Sequence, residues 1–183
     1  MKKVLLLVCA MFVGSANANM INIDLSDPNP SVGDTVSVNI NMTGITEDFT
    51  AFFTGFLFDS SLFEYVDGSV SSDFPLYDPF TGSGLDVDSS SSGLLSLNLF
   101  EDFVAPVIYG AGDYLVASFN LLAISEGQSS FSLAQTSLFA PDFGPETALD
   151  TSASGASIAV PAPGSMALMG LAGLALFGLR RKA

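Results

Sequence analysis

Between residues 4 and 179 the chain has no lysine, no arginine and no histidine. All five Lys and Arg residues of the 183-residue sequence sit at its ends, as Lys2, Lys3, Arg180, Arg181 and Lys182. All 19 Asp and Glu residues lie between them, a segregation that the formal net charge of −14 conceals. Tryptophan is absent, and Cys9 is the single cysteine. These absences exclude functions. A nucleic-acid binder displaces counterions with cations, and residues 4–179 have none to offer. Phosphate and nucleotide sites recruit Lys or Arg, which removes the NTPase and kinase readings. Without histidine there is no Ser-His-Asp or Cys-His machinery and no His-based zinc site. Carboxylate chemistry, hydroxyls, aromatic surfaces and hard-cation binding remain.

What is present divides into three parts: residues 1–18, 19–159 and 160–183. The first begins Met1-Lys2-Lys3, continues with an apolar run from Val4 to Val13, and ends in the small residues Gly14 to Ala18. A basic start, a short apolar stretch and a small-x-small site at Ala16 and Ala18 form the pattern of a secretory signal peptide. Ten apolar residues are too few to span a bilayer of ~30 Å. Cleavage is expected after Ala18, which also removes Cys9. The mature chain then has no thiol or disulfide chemistry, although it is exported.

The last part opens with Val160, Pro161, Ala162, Pro163 and Gly164. An apolar stretch follows to Leu179, then Arg180, Arg181 and Lys182. From Gly164 the stretch has 16 residues, about 24 Å as a helix, which is short for a stable span. A proline-stiffened segment, a marginal transmembrane helix and a basic stop on the cytoplasmic side suit an anchor held transiently in the inner membrane. This ordered set resembles the PEP-CTERM sorting signal of Gram-negative bacteria. Pro161, Pro163 and Gly164 match its motif directly, and Ala162 stands where the name-giving Glu of the family stands. The resemblance implies an exported protein processed by an exosortase, a membrane cysteine protease often found in bacteria that make exopolysaccharide. It also implies a final place at the cell surface or in the extracellular matrix.

The middle part reads as β structure. Thr35 to Met42 alternates, with Val36, Val38, Ile40 and Met42 on one face and Ser37, Asn39 and Asn41 on the other. Further strands are expected at 22–25, 49–58, 62–66, 94–100, 114–124, 130–139 and 157–160. Turn signals such as Asp67-Gly68, Gly112-Asp113 and Glu126-Gly127 separate several of them. No long helical period appears. The expectation is an all-β, antiparallel, jelly-roll-like sandwich of about 8–9 strands. Residues 32–38, 58–66 and 112–119, in that order, resemble a cohesin-type domain and its carbohydrate-binding-module superfamily. That resemblance implies a non-catalytic sandwich whose partner is a dockerin-like module or a polysaccharide.

Fourteen phenylalanines lie between residues 19 and 160. Phe52, Phe56, Phe58, Phe63, Phe100, Phe119 and Phe131 are expected in the core. The strand at 49–58 is apolar on both faces, as a central or an interface strand is. The Ser-, Gly- and Asp-rich segment from Gly68 to Gly93 reads as a long loop. Its Phe74, Tyr77 and Phe80 are candidate ligand contacts, since rings stack on sugars and nearby carboxylates accept hydroxyl protons. The competing reading is a loop with its own hydrophobic plug. Asp86 and Asp88, followed by four serines, are the candidate cation ligands, with Ca²⁺ the one candidate cofactor. They lack the glycine and the closing glutamate of an EF-hand, so a turn of solvated carboxylates is the alternative. Function is therefore expected to be non-catalytic binding at the cell surface. The alternatives are a passive structural or adhesive protein without a specific ligand and a secreted glycosidase built on two carboxylates.

Overall fold

A computed structural model of the chain describes residues 19–102, 104–134, 136–140, 144–152 and 154–161. The signal site at Ala16 and Ala18, most of the sorting segment and the basic stop at Arg180, Arg181 and Lys182 lie outside the described residues. Among the described residues no helix is long and apolar enough to cross a membrane.

Alternation of apolar and polar side chains builds a first sheet from β1 (Met20–Leu25), β2 (Thr35–Ile45), β7 (Gly112–Ala123) and β4 (Phe63–Tyr65), in the spatial order β1-β2-β7-β4. In β2 the residues Val36, Val38, Ile40 and Met42 are fully buried, while Ser37, Asn39 and Asn41 between them face outward. The same period places Ala117, Phe119, Leu121 and Ala123 of β7 in the core. The edge beyond β4 continues as single links, Ser71 with Ser118 and the Asp73 N–H to the Leu115 carbonyl.

The second sheet runs β10 (Glu146–Ala148), β9 (Ser137–Phe139), β3 (Ala51–Leu57), β6 (Leu94–Phe100), β5 (Gly84–Asp88). It also carries β8 (Gly127–Leu133) against β3 and β11 (Ala156–Val160) against β8. All pairings between named strands are antiparallel. The expected 130–139 strand is two strands, both paired to β3. Thr136 Oγ1 turns inward between them to meet Thr54 Oγ1 at 2.8 Å in the core.

Aromatic rings join the two sheets. Phe56 and Phe131 of the second sheet meet Phe119 and Phe63 of the first, with centroids 5.1–5.2 Å apart. Rings in such edge-to-face or tilted pairs contribute about 0.5–1.5 kcal/mol each beyond their burial. A second group gathers Phe49, Phe52, Phe74, Tyr109 and Tyr114 at one end of the core.

The segment 68–93, expected as a loop, contains a strand, β5, and several single bridges. β5 forms within it because Leu85 fills the core and the edge of β6 offers a free ladder. Residues 75–78 then lie along β5, with the Leu85 N–H bonded to the Pro75 carbonyl and the Tyr77 N–H to the Leu85 carbonyl. Gly84 permits this approach. Its φ is +103°, and a Cβ there would stand 2.7 Å from the Leu76 carbonyl oxygen.

Candidate functional site

The outward face of the second sheet departs from the usual polar surface. Register places Glu146 of β10 opposite Phe139 of β9, Phe139 opposite Ala51 of β3, and Phe100 of β6 opposite Gly84 of β5. In the next row Ala148, Ser137, Phe53, Asn98 and Asp86 follow one another across five strands. Phe53 thus sits between two rings. Its centroid is 5.1 Å from Phe139 and 5.7 Å from Phe100, both edge-to-face. Tyr77 extends the row, 6.0 Å from Phe100. Phe53 and Phe139 are half-buried, and Phe100 and Tyr77 are 36% and 40% exposed.

Between these rings lies a groove of about 380 Å³, floored by Ala51 and edged by Glu101 and Glu146. The Glu101 carboxylate accepts a hydrogen bond from Thr50 Oγ1 at 3.1 Å, and Glu146 accepts one from Ser137 Oγ. On the far side of Phe100 a smaller recess is lined by Pro75, Val107, Tyr109 and Asp102. Val107 and its neighbour Ile108 are more than half exposed. The apolar strip therefore runs from β9 to the β5 edge of the sheet. Patches of this kind, rimmed by charge, mark interaction sites.

The three expected ligand aromatics separate. Phe74 is 3% exposed and packs between Tyr109 (4.9 Å) and Tyr114 (5.5 Å), so it presents no ring to a ligand. It is the hydrophobic plug of its segment. Ser72 fixes it, with Oγ donating to the Val116 carbonyl at 2.6 Å and accepting the Phe74 N–H at 3.0 Å. Tyr77 joins the aromatic row. Phe80 stands alone, 97% exposed at the tip of a turn closed by the Asp78–Ser83 bridge. Phe100, expected in the core, is on the outer face. Leu95, Leu97 and Leu99 set the buried phase of β6, and Phe100 falls out of it.

Asp86 and Asp88 lie on strand β5 rather than in a turn. They face outward opposite Asn98 and Ser96. The Asp88 carboxyl is held below the ordinary carboxylate range by the Ser90 N–H, which it accepts at 2.8 Å, with the Ser90 hydroxyl assisting. Among the described residues no three His, Cys, Asp or Glu side chains gather as a metal-binding group.

Sequence reasoning missed Phe53 and Phe139 as surface residues. The signal was their phase. Phe52 and Leu138 point inward, so their neighbours point out.

The chain leaves this sheet at its opposite end. Val160, 3% exposed, is a core residue of β11 and pairs with Gly127 at the start of β8. Val160 is the last residue of the strand expected at 157–160. β9 pairs with the start of β3 and β8 with its end, so the aromatic groove and Val160 lie toward opposite ends of the sheet.

These strands and layers define a cohesin-type β-sandwich. Clostridium acetobutylicum CaCohA2, in a crystal complex, superposes with a TM-score of 0.58 at 17% identity, covering 78% of this chain and 100% of that one. A type II cohesin domain from the cellulosome of Acetivibrio cellulolyticus gives 0.55 at 19% identity, covering 77% and 95%. The sixth cohesin of the same organism's scaffoldin B, solved in complex with a dockerin, gives 0.55 at 16%, covering 78% and 99%. To this fold the chain adds a PEP-CTERM protein-sorting motif, matched over residues 159–182. No curated protein matches the chain in sequence.

Proposed function

We propose that this is an exported, non-catalytic surface protein whose sandwich docks a protein module through the outer face of the second sheet. The sorting motif hands the chain to an exosortase-like protease while its apolar stretch is transiently in the inner membrane. The product then resides at the cell surface or in the extracellular matrix. The observation that carries the docking reading is the aromatic row Phe139–Phe53–Phe100–Tyr77. It lies on a face where a solvated sheet presents polar side chains. The placement of this row toward the opposite end of the sheet from Val160 supports it too, because it leaves the face clear of the chain's exit to the sorting segment. The cohesin-type fold and the dockerin seated on one of its neighbours support a dockerin-like module as the partner.

A polysaccharide is the second reading. Asn98 lies directly opposite Phe53, and Asp86 opposite Asn98, which gives hydroxyl-binding groups in the row of a ring.

The test is a binding screen of the purified chain against immobilised dockerin modules and neutral polysaccharides, with and without Ca²⁺. Module binding that falls about tenfold or more in the Phe53→Ala and Phe139→Ala variants supports docking at this face. Binding untouched by both variants overturns it.

A further inference from the structure

The groove beside Phe53 carries two carboxylates and no countercharge. Three phenylalanine rings, Phe53, Phe100 and Phe139, surround its floor at Ala51, and Glu101 and Glu146 stand at its edge. Each carboxylate takes one hydrogen bond from a hydroxyl, Thr50 to Glu101 and Ser137 to Glu146. Among the described residues no other donor reaches either carboxylate, and an ionised carboxylate has about four acceptor sites. The sandwich itself supplies no cationic side chain, because residues 4–179 contain no Lys, Arg or His. Ring faces attract cations, and the attraction strengthens when the site is covered. A long basic side chain meets both demands at once, with its methylenes along the rings and its charged head at the carboxylates.

From this arrangement we infer that the groove is the receptor for a cationic side chain, arginine or lysine, projecting from the partner that docks on this face. This rests on the docking reading above and names the partner's chemistry. A neutral sugar could stack on the rings and donate hydroxyls to the carboxylates but would leave both charges without a countercharge. An anionic glycan would be repelled.

The test uses small probes on the purified, isotope-labelled chain, followed by NMR. Nα-acetyl-arginine methylamide, its norleucine counterpart and cellotetraose are titrated separately. The arginine probe is expected to shift the Ala51, Phe53 and Phe139 resonances and to bind about five- to tenfold more tightly than the norleucine probe. The preference should shrink as NaCl is raised. The Glu101→Gln and Glu146→Gln variants, which leave the rings in place, should abolish it. Three results would overturn the inference: norleucine binding as tightly as arginine, a preference that survives both Gln variants, or cellotetraose shifting these resonances while arginine does not. The first leaves apolar docking intact, and the module screen decides docking separately.

Discussion

Alanine at Phe52 and alanine at Phe53 separate the two faces of β3. The residues are adjacent, yet Phe52 is fully buried, pairs with Leu99 and Leu138, and lies 5.3 Å from Phe74. Phe53 is half-buried and pairs with Asn98 and Ser137. Truncating a buried phenylalanine removes its transfer free energy and leaves a cavity, at a cost of about 3–5 kcal/mol. Truncating Phe53 gives up two edge-to-face contacts that solvent weakens and part of a side chain's burial, about 2 kcal/mol together. With a urea m-value of about 2 kcal/mol/M, the unfolding midpoint should drop by about 1.5–2.5 M for Phe52→Ala and about 1 M for Phe53→Ala. Partner binding should respond in the opposite order. Equal losses of stability, or a larger loss at Phe53, would refute the register. A slip of one residue exchanges the two faces.

Further expectations concern the segment beside the site and the response to pH. Gly84→Ala puts a Cβ 2.7 Å from the Leu76 carbonyl oxygen at a positive φ. It should cost about 2 kcal/mol or more in chemical denaturation and displace Tyr77 from Phe100, which aromatic NMR shifts would report. Tyr109 and Tyr114 have phenol pKa values pushed up by burial, and next by Tyr114 for Tyr109 and by Asp48 for Tyr114. Burial, then Asp67, raises that of Tyr65. Because the folded state holds these protons longer than the unfolded state, the stability tied to them is complete below about pH 10 and is lost above it. Thermal unfolding followed from pH 8 to 11 should show this decline, and a flat profile would contradict it. The acid side has the opposite sign. Asp59, Asp88 and Asp150 are lowered by hydrogen bonds from Ser61, Ser90 and Ser152. Their small contribution is present above about pH 4 and fades as pH falls through the lowered values.

Strand phase made much of the fold legible, and composition made its ends legible. Val36 to Met42 reveal a half-buried strand by alternation alone, and the Pro161–Gly164 motif with its apolar stretch and basic end reveals an address. β5 and β10 were not legible. β5 is a strand because β6 presents an open edge and Leu85 finds core space, and neither condition is local to its own Ser- and Asp-rich sequence. β10 has three residues, and pairing with β9 alone defines it. Phe74 joins the core from a segment of Ser, Asp and Pro whose hydrogen bonds reach β7, again a tertiary cause. Within the site, Phe53, Phe100 and Phe139 were visible in principle. Each occupies an outward position of its strand, and counting phenylalanine as core by type hides that. No pattern in the sequence brings Glu101 and Glu146 to one groove, because only the order β10-β9-β3-β6 does so.

Mass spectrometry of both termini of the protein recovered from the cells that make it tests the central claim most directly. The account predicts a chain beginning at Asn19 and lacking Arg180, Arg181 and Lys182, with the sandwich through Val160 retained. The side chains of that product would be purely anionic. A mature protein that keeps the intact Arg180-Arg181-Lys182 end would contradict sorting by cleavage.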